Sequence, residues 1–296
     1  MELDVWKTLF HENFDNTKYL YHYTSFDKAL KIINSNRLLF SSITNTNDTT
    51  ESKLKILFEQ PNTMNEAEFN DSTLKLMAYF SGFVPNIKLM CFSMDSTIDY
   101  KENKIEDHNI KELYYDYSGR GFALPRMWAQ YADNNTGVCF IFNKSRILDK
   151  LSSITRHYEL PVKYKPFTQR FKIDGGTVKS LLEQIKCDNN GNLIFYDYLF
   201  NYKGKKLPPY IEYNYFRKLN DWKHEQEYRI LALVDDNEKA LYLDEIATAL
   251  EGIVLAEKID VASENALRCF AQLRKIVKSK TGIKKIKFDI NRISIE

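Results

Sequence analysis

The chain has 296 residues, 42 Lys and Arg against 40 Asp and Glu, and a formal charge of +2, a balance that does not by itself call for nucleic acid or a membrane surface as partner. Its four cysteines form no CxxC pair, so neither a zinc site nor a disulfide framework is indicated, and a reducing cytoplasm is the expected setting. The opening residues carry acids where a secretory leader needs a basic start, and no stretch is apolar enough for a membrane span.

The run YLYHYT at 19–24 alternates as a strand, with Leu20, His22 and Thr24 on one face and Tyr19, Tyr21 and Tyr23 on the other. Thr24 or Ser25 is placed to cap a following helix, Asp27 opposes its dipole, and Asn36 marks a left-handed stop. RLLFSS returns as a strand, and TNTNDTTE reads as a polar loop. Residues 52–82 carry helical periodicity, KLMCFSM (88–94) is a buried strand, and Asp95 to Gly121 reads as an exposed excursion.

LPRMWAQYADNN (124–135) predicts a short helix and TGVCFIFN (136–143) a strand. Residues 144–220 mix helical runs with turn residues and are taken as an elaboration on the core. EYRILALV (227–234) and EGIVLAE (251–257) are strands, ENALRCFAQLRKIVKSK an amphipathic helix, and KKIKFDINRISI a closing strand. The pattern is a single α+β domain with a mixed, mostly antiparallel sheet; a doubly wound parallel fold needs a more regular strand–helix rhythm.

Four constellations carry chemistry. In WKHEQEYR (222–229), Glu225 and Glu227 lie two apart at a strand mouth, so both carboxylates face one side; the alternative is a charged edge with Arg229 pairing Glu227. His224–Glu225 begins a zinc-binding HExxH, but Tyr228 stands where the second histidine is needed. His22, with Thr24 beside it on one face, is either a ligand-binding histidine or a structural one, and Asn47, Asp48 and Glu51 either reach the same cleft or cap a helix.

Trp128 and Tyr131 share a helical face that either packs as core or stacks on a flat ligand, and Arg126 ahead of them suits a phosphate. The last constellation is the acid-free basic run from Arg268 to Lys287, which either grips a phosphate backbone or is a solvated helix face. Nucleotide-binding GxGxxG and GxxxxGK[ST] and the nucleophile elbow GxSxG are missing from the sequence.

The segments YLYHYTSFDKALKIINSNRLLFSSITNTND, MCFS, MWAQYADNNTGVCFIF, DWKHEQEYRI and EGIVLAEKI together resemble a bacterial domain-of-unknown-function family of abortive-infection (AbiGi-like) and phage-defence proteins, over about residues 19–257. That family usually has Pro where Thr49 stands. More distantly, the opening segment resembles the ADP-ribosyltransferase superfamily.

This second resemblance implies a sheet core of that type with helical insertions and NAD as substrate; with the first, it implies a toxin or effector in anti-phage defence. His22, with Tyr23 and Thr24, matches the strand that opens the NAD site, and Glu227, with Glu225 beside it, the catalytic carboxylate of a late strand. The middle position falls to Ser93, Tyr131 or one of the intervening tyrosines, and Arg126, Trp128 and Tyr131 complete the NAD pocket. The resemblance puts His22 and Glu227 within reach of one ligand. The acceptor of ADP-ribose is open and includes nucleic acid, and a neutralising antitoxin or other defence-system protein is an implied partner. The alternatives are a non-catalytic recognition module and a metal-dependent nuclease built on Asp48, Glu51, Glu225 and Glu227.

Overall fold

The computed structural model describes residues 18–46, 48, 50–51, 53–96, 120–155, 157–166, 170–184, 186–187, 193–194, 207, 209–234, 240–259, 282–289 and 292–295. It opens with β1 (Tyr19–Thr24), helix α1 (Phe26–Ser35) and β2 (Arg37–Ser42). Ser25 occupies the N-cap position of α1 but makes no side-chain cap bond. The other end follows the sequence: Asn36 adopts φ 54°, and its N–H closes onto the carbonyls of Ile32 and Ile33.

The chain continues through β3 (Ile56–Phe58), α2 (Glu66–Phe83) and β4 (Ile87–Ser93). Asn65 and Glu68 form a reciprocal capping box that starts α2. Next come α3 (Pro125–Gln130, with Pro125 preset for a first turn), β5 (Val138–Asn143) and α4 (Lys144–Ser152). The segment expected to be an elaboration holds β6 (His157–Pro161), β7 (Lys163–Lys165), β8 (Phe171–Ile173), α5 (Gly175–Gln184), β9 (Lys186–Cys187), β10 (Leu193–Ile194), α6 (Pro209–Tyr215) and β11 (Arg217–Leu219). A 3₁₀ turn over Asn220–Glu225 leads into β12 (Glu227–Leu233), followed by β13 (Leu241–Asp244), β14 (Leu250–Leu255), β15 (Gly282–Asp289) and β16 (Arg292–Ile295).

The result is a mixed α+β fold on a mostly antiparallel sheet. One path runs β13-β2-β4-β1-β5-β14-β15-β16, with β12 joining β4 and β6 joining β12. Among the described residues, parallel pairing is confined to β14–β15, β7–β11 and β3–β8. β4 is shared three ways: β12 runs along one edge from Ile87 to Ser93, while the other edge meets β2 at Lys88 and Leu89 and β1 at Ser93. Two strands on one edge force the sheet to split there, and the split divides the core. Leu20, Phe92, Phe140, Tyr228 and Ile230 pack under α1 and α4 in one cluster. Leu89, Leu231, Phe80 and Ile211 form a second with α2 and α6, and Tyr21, Tyr23, Phe122 and Trp128 a third.

Described residues of two stretches read as polar loops are drawn inward instead. Asp48 and Glu51 are buried, and so are Asp95, Ser96 and Arg120 at the two ends of the expected excursion. Asp95 holds Arg120 at 3.2 Å and accepts the Gly121 N–H at 2.8 Å. The amphipathic helix expected over 264–280 lies outside the described residues, which takes the basic run from Arg268 to Lys280 with it.

Candidate functional site

The site forms where the ends of β4, β11 and β12 meet. Alternation along β12 sends Tyr228 and Ile230 into the apolar core and Glu227 and Arg229 to the opposite face. Arg229 is completely enclosed and donates from Nε to Glu227 Oε1 (2.5 Å), from Nη2 to Glu227 Oε2 (3.1 Å) and Glu51 Oε1, and from Nη1 to the Tyr215 carbonyl (2.7 Å). The parallel pair β7–β11 sets Tyr164 beside Lys218. Lys218 Nζ reaches Glu225 Oε2 at 2.7 Å, Glu227 Oε2 at 2.9 Å and Glu51 Oε1 at 3.7 Å, while the Tyr164 hydroxyl accepts the Glu227 N–H at 2.9 Å.

Glu225 and Glu227 do meet, for a different reason than strand alternation. β12 begins at Glu227, and Glu225 is the last residue of the 3₁₀ turn; Gln226 between them takes a left-handed conformation, φ 47° and ψ 49°. That reversal turns both carboxylates onto the Lys218 ammonium. Tyr131, just past α3, closes the group by donating its hydroxyl to Glu225 Oε1 at 2.6 Å. Lys218 also lies 5.0 Å from the centre of the Trp222 ring, a cation–π contact.

The two carboxyls are tuned in opposite directions. Burial pushes Glu227 up, but the charges of Arg229 and Lys218 outweigh it and hold the group well below the usual carboxylate range. Burial also pushes Glu225 up; there the charge of Glu227 adds to it, and Lys218 offsets it only in part. One carboxylate is therefore a fixed anion and its neighbour a group able to exchange a proton. Divergent neighbours of this kind mark acid–base sites.

The remaining sequence candidates divide. Ser93 opposes both Glu227 and Tyr21 in the ladder, so these three share a face; it is fully buried, and its hydroxyl has no hydrogen-bond partner among the described residues. Arg126 is exposed and donates to the Asp221 carbonyl (3.0 Å), tying α3 to the turn that carries Glu225.

The expectation that His22 meets Glu227 is overturned. Because Tyr21 is the residue in register with Ser93, His22 and Thr24 point to the opposite side of the sheet, the side of Leu20, Phe92 and Phe140. His22 sits edge-on to Phe92 (5.9 Å between ring centres), and its Nδ1 lies 3.4 Å from the Cys91 carbonyl. Burial lowers its pKa to about 4, slightly countered by that carbonyl, so the ring is a neutral structural histidine.

Tyr23 and Trp128 are core residues rather than ligand walls. The Tyr23 hydroxyl bridges the Gly121 carbonyl (2.7 Å) and the Leu124 N–H (3.3 Å), and the Trp128 indole donates to the Phe122 carbonyl (2.8 Å). The rings pack edge to face at 5.1 Å.

Sequence reasoning missed Lys218 and Tyr164 altogether, and gave Arg229 only as one alternative. A lysine two residues after the aromatic run YNYF was the available signal for the first. The carboxylates proposed for a metal do not gather as ligands: Glu51 and Glu227 are bound by Arg229, Asp48 is turned onto Thr50, and among the described residues no group of three or more His, Cys, Asp or Glu is placed to hold an ion. No helix among the described residues is long and apolar enough to cross a membrane.

Lys218, Tyr164, Tyr131, Glu225, Glu227 and Arg229 all fall in one stretch. Residues 127–230 match the family model DUF2971, described as protein of unknown function. No curated protein and no solved structure matches the chain. The DUF2971 stretch spans α3 to the middle of β12, while Glu51 and Ser93 reach the same site from outside it.

Proposed function

We propose that the protein is an NAD-dependent ADP-ribosyltransferase or NAD glycohydrolase acting as an effector in bacterial anti-phage defence, with Glu225 rather than Glu227 as the carboxylate that faces substrate. The observation that carries this reading is the unequal carboxyl pair on one ammonium. Glu227 is held as an anion by Arg229 and Lys218, whereas among the described residues Glu225 bonds only Lys218 and the Tyr131 hydroxyl. The defence role rests on the resemblance to abortive-infection and phage-defence proteins.

Cleavage of the nicotinamide–ribose bond sends its electron pair to the ring nitrogen and leaves an oxocarbenium-like sugar, which an adjacent carboxylate stabilises. The attacking hydroxyl or water then loses its proton to Glu225. Tyr131 and Trp222 supply flat walls for the leaving ring, and Arg126 at the exposed rim suits the pyrophosphate.

The test is release of nicotinamide from NAD by the purified protein, with adenylate-labelled NAD and cell extract to find the acceptor. Glu225→Gln should abolish release in a folded protein, and a wild type that neither binds nor consumes NAD overturns the reading. A recognition module without turnover is the second reading, favoured by the burial of Glu225 and Glu227. NAD binding without nicotinamide release, or a partner protein that occupies the site, would select it.

A further inference from the structure

The buried charges around Glu225 do not balance. Asp48, Glu51, Glu225 and Glu227 face Lys218, Arg229 and the half-buried Lys55, which is one carboxylate more than cations among the described residues. An uncompensated charge out of water is expensive, and a cluster of this kind sheds the excess either by holding a proton or by binding a cation.

Geometry singles out which carboxyl absorbs the difference. Both oxygens of Glu227 are taken by Arg229, with Lys218 adding to one of them. Glu51 lies against the Arg229 guanidinium. Asp48 Oδ1 accepts both the N–H and the hydroxyl of Thr50, which holds it as an acceptor. Glu225 has an oxygen, Oε1, whose partner is a neutral hydroxyl, that of Tyr131, which can donate to a carboxylate or accept from a carboxylic acid. Tyr131 and Trp222 are half-buried, whereas Lys223 and His224, its neighbours along the turn, are exposed.

We infer that Glu225 holds a proton in the ligand-free protein and surrenders it when a cationic, N-substituted pyridinium ring takes the place of the Tyr131 hydroxyl, so that binding exchanges one proton for one cation. This rests on the reading of the site as one for NAD, and it adds a selectivity: the oxidised dinucleotide, whose ring is charged, is admitted, and the reduced form, whose ring is neutral, is not. The released proton goes to solvent. It leaves Glu225 ionised beside the carbon where positive charge then develops, and ready to take the proton of the attacking group.

The experiment uses 1-methylnicotinamide, a bare pyridinium cation, and oxidised NAD as separate probes. Each is titrated calorimetrically in two mildly acidic buffers of different ionisation enthalpy. About one proton should be released per ligand bound, falling toward none as pH rises, and Glu225→Gln should bind either probe with no release. Infrared spectra of the wild type give the same answer without a variant, because the protonated carboxyl band should be present in the free protein and lost on adding either cation.

Pyridinium binding with proton release but no NAD turnover supports the inference and removes the transferase reading. NAD turnover without proton release, or a free protein lacking the carboxyl band, overturns the inference and leaves the transferase reading standing. Binding of neither probe overturns both.

Discussion

Glu227 and His22 are polar residues in neighbouring parts of one sheet, and the protein treats them in opposite ways. Glu227 stays charged in the interior because Arg229 and Lys218 surround it, with the Tyr164 hydroxyl on its N–H. His22 has one long contact to a carbonyl and an aromatic edge beside it, so it is held neutral. Burial costs both residues; what differs is whether a counter-charge comes with it. A charge in a protein interior persists only as part of a network, and a lone titratable group gives up its charge.

Removing the counter-charge gives the largest effect. Arg229→Met leaves Glu227 and Glu51 facing each other across Lys218 alone and should cost about 3–5 kcal/mol in urea unfolding. The double variant with Glu227→Leu should recover part of that loss. A single variant within about 0.5 kcal/mol of wild type would show that the network does not hold the fold.

On the same face of the sheet as Glu227, Gly121 tests close packing against Tyr21. A Cβ there would lie 2.2 Å from the Tyr21 ring, so Gly121→Ala should cost about 1–3 kcal/mol. A neutral outcome would mean that the Tyr21–Asp95–Arg120 corner yields easily.

His22 predicts a pH dependence. Its folded pKa lies below its ordinary value, so the unfolded chain takes up the proton first, and stability falls as pH drops from about 6.5 to about 4. Unfolding curves of His22→Phe should lose that portion of the slope and differ from wild type at neutral pH by less than about 1.5 kcal/mol. The Glu227 contribution has the usual carboxylate sign: it is present above the ordinary carboxylate pKa and is lost only in stronger acid. A wild type flat between pH 6.5 and 4 would contradict the neutral histidine.

Glu225→Gln should have the smallest effect on stability. Its raised pKa gives the opposite sign, with a contribution that is present in acid and lost as pH rises through the folded value. The variant should therefore be within about 1 kcal/mol of wild type in mild acid and gain on it at higher pH. A gain in acid instead would reverse the roles given to the two carboxyls.

The strands were legible because alternation is local: YLYHYT, KLMCFSM, TGVCFIFN and EYRILALV all lie within a residue or two of their observed limits. The EQE pair was legible too, and its partner Arg229 was at least visible two residues on. Three things were not. Glu51 sits in TNTNDTTE, whose local composition says solvent, and Arg229 and Lys218, distant in the chain, meet it inside. Lys218 depends on the pairing of β7 with β11.

The third was the side on which His22 falls. Alternation rightly grouped His22 with Thr24, but which face looks toward Glu227 is set by the register of β1 and β12 on β4. A shift of one residue reverses the answer. Local pattern shows what a residue sits beside in its own strand, and long-range register decides what it meets.

The three-way sharing of β4 has a consequence for how the molecule is made. β1 and β2 can reach β4 soon after Ser93 is synthesised, but the other edge has no partner until β12 is made, ending at Leu233. Until then, a nascent chain carrying the mostly apolar run IKLMCF exposes a row of unpaired backbone groups. Pairings so distant in sequence form slowly. The slow step in folding should be the arrival of β12, which also assembles the charged cluster, so the site comes into existence in the same event that closes the sheet.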